Sequence, residues 1–562
     1  MKTEIKNQKI QICKKGTTIT VLLVHISEGL SMTSLSVEAF CTIPTNLFPN
    51  KGVSLTFLQS FVNLPAMNTP MIQLLYPKME PEVLEKMDLI SLRSLAKELR
   101  VHSSLNGTDE FAMYDDETIL RKDWISAVNA PPTTTTHVNI CIVKPATLLK
   151  HGSYADTIIS NGSNPEWVNT PTDFISHAWR YNFKDLVNAI KNEADERDRN
   201  LILRGELPIT NQRYYWNDIF VEDQNATLSK PDGYFFHSFR TAIITIGRTI
   251  LILMPLKKAI PLTRAWCVWE MFCSIAAENV ELCIALPLSE RIVLEEMLMN
   301  EFEEIINIMT NVQIEKSQAF LTEDQNEIHR IVNEQCTNGY NGVNTIICNG
   351  LRNWLIETSE LLLQRQGDGG IDNKIGAEGV NSGVEEKEGV EGDGDATGKV
   401  DCKLQFQEGE EGEKRLELMN QIGKMLHEQN RYVKAETLYR EVLHRRQLLL
   451  GNDHIDTLAS MNNLIKLLLD LNKNLNEVEI LLHESLEIEE IKYGLIHSAT
   501  LITITSLGTF SLHQDDLDAA ERYFRRALRG WELINKTEGN GDNEDDLNIL
   551  TSGESVLHQN SF

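Results

Sequence analysis

Ala435 to Leu464 reads AETLYREVLHRRQLLLGNDHIDTLASMNNL, and the rest of the chain is ordered around it. Ala435, Leu438, Tyr439, Val442 and Leu443 follow the i, i+3, i+4, i+7, i+8 spacing of one apolar helix face. The Ala435-Glu436 pair recurs as Val478-Glu479 and Ala520-Glu521, at intervals of 43 and 42 residues. The connector His454-Ile455-Asp456-Thr457-Leu458 recurs as His497-Ser498-Ala499-Thr500-Leu501, again 43 residues on. Two landmarks sharing one period define a repeat. Each unit reads as two amphipathic helices joined by a short turn. The small Ala435 lets the paired helix approach closely. One hairpin cannot bury its stripe alone, so neighbours stack and leave a concave groove. The period predicts repeats over 414–535.

These residues resemble the tetratricopeptide repeats of kinesin light chains. The resemblance implies a groove that binds extended peptide segments, with first-helix asparagines holding the peptide backbone. The matching positions are Asn420, Asn462 and Asn463; the third repeat has Thr505-Ser506 there. The alternative is that the repeats serve only as a spacer or dimer contact. The heptad coiled coil that would join a motor heavy chain is absent from the sequence, and nothing in it suggests a motor role.

The chain has 562 residues, enough for several domains, and a net charge of -28 from 81 acidic and 53 basic side chains. Such a charge repels nucleic acid and anionic membranes; a basic partner surface fits better. The most apolar stretch, Ala242 to Met254, is interrupted by Arg248 and too short to span a bilayer. MKTEIKNQKI at the start has no apolar run, so no secretory signal is expected. The nine cysteines form no CxxC pair and no zinc spacing, which fits reduced thiols and a cytoplasmic location. No metal or required cofactor is expected.

Residues 367–413 hold 12 glycines and 14 acidic residues against 4 lysines. That composition buries too little apolar surface to offset the entropy of ordering, so 364–413 reads as an acidic disordered linker. Residues 536–562 read as a disordered tail. Pro131-Pro132 followed by four threonines marks a weaker boundary, and 131–171 reads as loop or linker. The region 1–130 is expected to carry helices at Pro81 to Arg100 and Leu120 to Val128, and a strand at Thr18 to His25. LEKMDLISLRSLAKELRV faintly resembles DNA-binding SAP modules, but its acidic surroundings favour a structural helical region.

Between 172 and 363 strand and helix patterns alternate. Strands are expected at Asp173 to His177, Tyr214 to Phe220, Thr249 to Met254 and Glu281 to Leu286. Helices are expected at Phe183 to Lys191, Phe235 to Ile246 and Leu262 to Ala277. Further helices are expected at Ser289 to Met309, Glu323 to Glu334 and Val343 to Leu363. Continuous apolar runs such as Ile250 to Met254 suit strands buried on both faces. The fold class expected is therefore multidomain: a parallel-sheet α/β domain plus an all-α helical hairpin stack. Ligands of such sheets sit beyond the carboxyl ends of the strands.

Asp173-Phe174-Ile175-Ser176-His177-Ala178-Trp179 and Arg264-Ala265-Trp266-Cys267-Val268-Trp269-Glu270-Met271 together resemble the opening strand and the Trp-Cys-x-x-Glu helix of TIR domains. Trp216 to Gln224 instead resembles the Trp-x-Asp stretch of heterokaryon-incompatibility domains. The TIR resemblance implies homo-oligomeric assembly or, alternatively, NAD cleavage with Glu270 as the catalytic carboxylate. Nicotinamide leaves as a neutral molecule, so a carboxylate near the ribose supplies mainly electrostatic stabilisation. Candidate residues for an NAD cleft are His177, Trp179, Trp216, Asp218, Arg264 and Trp266. The alternative is that Trp266, Trp269 and Cys267 only pack the helix on its sheet, and that Glu270 is a solvated or ion-paired surface residue of that helix. No GxxxxGK[ST] phosphate loop is present. The expectation is a signalling or scaffold protein that recruits a protein or peptide through its repeats.

Overall fold

The computed structural model describes residues 14–15, 18–19, 48–79, 81–99, 121–162, 164–226, 229–231, 233–319, 321–367 and 410–538. They fall into two units. One comprises the described residues up to 296 with 303–354, and the other 297–302 with the described residues from 355 onward.

The first unit is built on strands β1 (Lys14–Lys15), β2 (Thr18–Ile19), β3 (Gly52–Ser54), β4 (Val168–Asn169), β5 (Asp173–Ser176), β6 (Tyr214–Trp216), β7 (Arg248–Ile252) and β8 (Glu281–Ala285). β1 and β2 pair with each other; the other six form one sheet in the order β4-β3-β6-β5-β7-β8. β6, β5, β7 and β8 are parallel. β3 runs antiparallel to both β4 and β6, so the sheet is mixed rather than wholly parallel. β7 is buried at every position, as its apolar run predicts.

The helices of this unit used below are α1 (Leu55–Val62), α2 (Tyr154–Asn161), α3 (Phe183–Leu203), α4 (Asp218–Val221), α5 (Tyr234–Ile246), α6 (Ala265–Ala276) and α7 (Thr322–Gln335). The Asn182 side chain caps α3 by accepting from the amides of Lys184 and Asp185. Gly247, in the left-handed region at φ 78°, ends α5 and turns the chain directly into β7. Phe174 of β5 stacks on its register neighbour Trp216 of β6, with centroids 4.9 Å apart and planes at 13°. Phe57 and Phe61 of α1, Tyr154 of α2 and Phe220 of α4 form an edge-to-face aromatic cluster. Across the sheet, Arg248 donates to Asp173 at 2.6 Å and to Glu193 at 2.7 Å, all three buried.

Several expectations change. The strand expected over Tyr214 to Phe220 stops at Trp216, and Asp218–Val221 is a helical turn capped by the Asn217 side chain, which accepts from the amide of Ile219. The helix expected from Ser289 to Met309 is two, Leu288–Asn300 and Phe302–Thr310. The 131–171 stretch is not a linker: it carries helical turns over 135–147 and α2. The 1–130 region contributes β3 and α1 to the sheet unit. Only residues 18–19 of the strand expected at Thr18 to His25 are described. Of the expected acidic linker, 368–409 lie outside the described residues; its flanks are helical up to Gly367 and from Glu410. The expected tail lies outside them from residue 539 on, while 536–538 belong to a helix.

The second unit contains six helices forming three successive pairs: α8 (Glu410–Glu428) with α9 (Tyr432–Leu450), α10 (Ile455–Asp470) with α11 (Leu475–Lys492), and α12 (Ser498–His513) with α13 (Leu517–Glu538). Asn430, Asn472 and Asp515 stand at the three hairpin turns with φ of 60°, 48° and 58°, the left-handed region that Asn and Asp tolerate. The recurring His454 and His497 cap α10 and α12, each accepting at Nδ1 from the amide two residues on. Within the first pair, a Cβ on Gly423 would lie 2.6 Å from Tyr439; within the third, one on Gly508 would lie 2.6 Å from Phe524. The middle pair has Ile465 and Leu482 at these places, both fully buried. A small residue facing a ring and two medium aliphatics fill the same interhelical gap.

Candidate functional site

Two places gather the residues that the sequence singles out. The first is the first-helix face of the repeats. Gln421, Asn463 and Ser506 stand in register on α8, α10 and α12, all half-buried. The three asparagines differ in what they present. Asn420 is 3% exposed and its Oδ1 accepts from Asn463 Nδ2 at 2.8 Å. Asn462 Oδ1 accepts from Thr503 Oγ1 at 3.2 Å. These side chains tie neighbouring first helices together, and Asn420 is held inside rather than offered to a ligand.

Eleven residues after Ala435, Val478 and Ala520 stand Arg446, Glu489 and Trp531, all buried on second helices. Arg446 donates to Glu417 at 2.6 Å and Ser460 at 2.9 Å, binding three helices together. Glu489 lies beside Thr503 and Asn462; burial pushes its carboxyl up to about 7, and those two groups pull against the rise. Sequence pattern alone missed this row, because charged residues inside a stack interrupt the apolar stripe that identifies helices.

The second place is the carboxyl end of β5. Ser176, the last residue of that strand, donates to Glu270 Oε2 of α6 at 2.5 Å. Glu270 is 5% exposed; burial raises its carboxyl to about 8, with the Ser176 hydrogen bond opposing and Asp218 adding to the rise. His177 is buried and its Nε2 has no hydrogen-bond partner. Burial lowers its imidazole below the usual histidine range, against a pull upward from Asp218. Trp179 Nε1 donates to Asp218 Oδ2 at 2.8 Å. Gln224 Nε2 donates to the Asp218 carbonyl at 2.8 Å, and Asn139 Nδ2 donates to Gln224 Oε1 at 2.9 Å. The Ser-His-x-Trp stretch and the Trp-x-Asp stretch therefore meet at Asp218.

The remaining candidates stand elsewhere or are closed. Trp216 is fully buried, stacked on Phe174, and donates to the Pro49 carbonyl at 2.9 Å. It is a core residue of the sheet and no platform for a ligand ring. Trp266 packs 5.3 Å from Phe239 and donates to Asp324 Oδ2 at 3.3 Å. Arg264, half-exposed, precedes the first turn of α6. Cys267 is buried and burial drives its thiol well above the ordinary range, so it stays protonated. Ser176, Asn139 and Gln224 were not among the expected site residues. Asn139 lies in a stretch whose threonines and prolines read as loop.

Two cavities of about 400 and about 300 Å³ open on the surface, and neither is lined by the Glu270 group. Among the described residues no cluster of His, Cys, Asp and Glu could hold a metal ion. Among them no helix is long and apolar enough to cross a membrane.

The tetratricopeptide repeat family matches residues 415–456 and 500–537. These spans take in the first and third helix pairs, so the repeats read from the 43-residue period are tetratricopeptide repeats. Similar solved structures include BtubC (BKLC) from P. vanneervenii, at 15% identity and TM-score 0.25, over 45% of this chain and 89% of that one. They also include the TPR-like repeats of a kinesin light chain protein from Podosopora anserina, at 13% identity and TM-score 0.26, over 45% of this chain and 96% of that one. No curated protein matches the chain in sequence.

Proposed function

We propose that this chain is a protein-binding scaffold of kinesin-light-chain type, whose repeats hold an extended polypeptide along the first-helix face. The observation that carries this reading is the register of Gln421, Asn462, Asn463, Thr505 and Ser506, polar and half-buried, across three stacked first helices. Such side chains can hydrogen-bond a peptide backbone without dictating its sequence, and stacked repeats put their concave faces to this use. The test selects peptides from a displayed random library on the full chain. Selected peptides should lose at least roughly tenfold in affinity on an Asn462→Ala, Asn463→Ala variant, as expected for one or two hydrogen bonds removed. No enrichment, or equal binding to that variant, would count against the groove.

A second reading concerns the sheet unit, which we propose as a TIR-like effector or self-assembly domain, with NAD as substrate in its enzymatic form. It is favoured by one observation: Glu270 meets Ser176 at the carboxyl end of the parallel strands, and the next residue, His177, is buried with an unpartnered Nε2. In this form Glu270 steadies the cationic ribose, and Trp179 and Asp218 shape the neighbouring wall. Nicotinamide release by the full chain from NAD, lost in Glu270→Gln, would support it. Silence of the wild type from pH 6 to 9, even when clustered on beads, would remove it.

A further inference from the structure

α13 carries Arg522, Arg525, Arg526 and Arg529 at i, i+3, i+4 and i+7, one stripe down a single helix face. All four line the cavity of about 400 Å³, together with Leu495, Ile496, Gly530 and Leu533. Arg525 pairs with Glu521 and Arg526 with Glu490, while Arg522 and Arg529 make no ion pair among the described residues. Those two cations stand in surplus on a chain of net charge -28. The apolar residues gather at one end of the stripe. Leu533 stands one turn beyond Arg529. Gly530 abuts Leu501, just after the Leu495-Ile496 connector; a Cβ on that glycine would lie 2.3 Å from the leucine side chain. Leu495, Ile496 and Leu533 are open to solvent, at 61%, 46% and 47%. The stripe belongs to a second helix, so this face is distinct from the first-helix face that carries Asn462 and Asn463.

We propose that this face is a docking site for a short acidic, leucine-bearing segment of a partner protein. Charge complementarity and exposed apolar area together select that occupant. Its carboxylates take Arg522 and Arg529 in bidentate contacts and leave the ion pairs of Arg525 and Arg526 intact. From Arg522 to Arg529 the helix rises about 10 Å, a distance that three or four extended residues match. One further turn brings Leu533, so an aliphatic pair beside the acidic run covers it together with Leu495 and Ile496. Inorganic phosphate would leave these three side chains in water. A long polyanion or an anionic membrane extends past the stripe onto a strongly negative chain, whose field opposes it. A short segment escapes that repulsion, because surface charges more than about 8 Å away are largely screened at physiological salt.

The experiment uses the full chain and a fluorescein-labelled synthetic peptide, Gly-Ser-Asp-Glu-Asp-Glu-Leu-Leu-Gly, followed by fluorescence anisotropy. Binding should saturate and should weaken as salt rises. One analogue carries Asn-Gln-Asn-Gln for the acidic run and another Ser-Ser for the leucines; each should bind at least roughly tenfold more weakly. An Arg522→Glu, Arg529→Glu variant should lose binding at least roughly tenfold with an unchanged helical circular dichroism spectrum. Arg522→Gln with Arg529→Gln, which adds no negative charge, should lose it too. The Asn462→Ala, Asn463→Ala variant should bind the peptide as wild type does, which separates this face from the first-helix groove. No binding up to about 1 mM peptide, equal binding of the neutral analogue, or binding that survives the arginine substitutions would overturn the proposal. Loss of binding in the asparagine variant would place the peptide in the first-helix groove instead. A dimer in sedimentation that the arginine substitutions dissolve would give the face to a second copy of the chain.

Discussion

Gly508→Ala inserts one methyl group where α12 and α13 touch. The new Cβ would stand 2.6, 2.8 and 2.9 Å from three ring atoms of Phe524, and ordinary contact begins near 3.4 Å. The ring must therefore retreat by about 0.8 Å from an already filled interface, which costs about 1–3 kcal/mol. Alanine also removes the helix-interior penalty of glycine, a gain of about 1 kcal/mol. The two combine to a net destabilisation of about 1 kcal/mol. Phe524→Leu removes the obstructing ring at a separate cost of about 1 kcal/mol in lost packing. In the double variant the clash is gone and the alanine gain remains. The middle repeat carries Ile465 and Leu482 at the two corresponding positions, both buried. A double-mutant cycle on the full chain, by urea unfolding followed by circular dichroism, should give a coupling of about 1–2 kcal/mol in favour of the pair. Additivity within about 0.5 kcal/mol, or a Gly508→Ala chain more stable than wild type, would refute the argument from close approach.

Arg248→Met removes the cation nearest buried Asp173 and Glu193, and urea unfolding should show a loss of about 3 kcal/mol, because among the described residues only Arg197 at 3.6 Å from Asp173 and Arg213 at 3.8 Å from Glu193 remain to face them. Glu270, raised by burial from 4.5 to about 8, holds its proton in the folded state at pH values where the unfolded chain has released it. Stability should therefore fall by a few kcal/mol as pH rises from about 4.5 through about 8, and Glu270→Gln should flatten that slope in urea titrations at several pH values. Glu489, raised from 4.5 to about 7, has the same sign, so melting of the repeats should weaken between those values and Glu489→Gln should remove the dependence.

The repeats were legible because two unrelated landmarks, the Ala-Glu step and the His-led connector, share one period. The histidines turn out to be helix caps, so the period records a local hydrogen bond as well as an apolar stripe. β5, β7 and β8 were legible from their apolar runs. β3 was not: three residues, Gly-Val-Ser, carry no periodicity, and their place is fixed by pairing with Tyr214 and Tyr215 far along the chain. The 131–171 stretch misled for a different reason. Thr134 and Ser153, read as loop residues, are N-caps in full capping boxes with His137 and Asp156, so the polar residues mark helix starts. Trp216 misled because an aromatic beside a polar motif suggests a stacking surface, whereas its strand position turns it onto Phe174. At the candidate site, Glu270 and Asp218 were visible in the motifs, but Ser176 and Asn139, which meet them or their partner Gln224, needed the tertiary fold.

The two ends of the parallel strands treat charge in opposite ways. At the amino end Asp173 and Glu193 face Arg248, and Arg213 with Asp198 extends the network at 2.9 Å, so every buried carboxylate there has a cation at hand. At the carboxyl end Glu270 is as deeply buried, yet its neighbours are a serine hydroxyl and the negative Asp218. The first arrangement pairs each buried acid with a guanidinium and ties the sheet to its helix. The second keeps an acid neutral at pH 7, able to donate a hydrogen bond but contributing little to a positively charged transition state. Any cleavage of NAD through Glu270 therefore depends on losing that proton. Its rate should climb with pH toward about 8, or the entering ligand's positive charge must itself favour the carboxylate. A substrate that carries a cation supplies the partner this end of the sheet lacks. The same deficit explains why Glu270→Gln should be tolerated by the fold even where it abolishes chemistry.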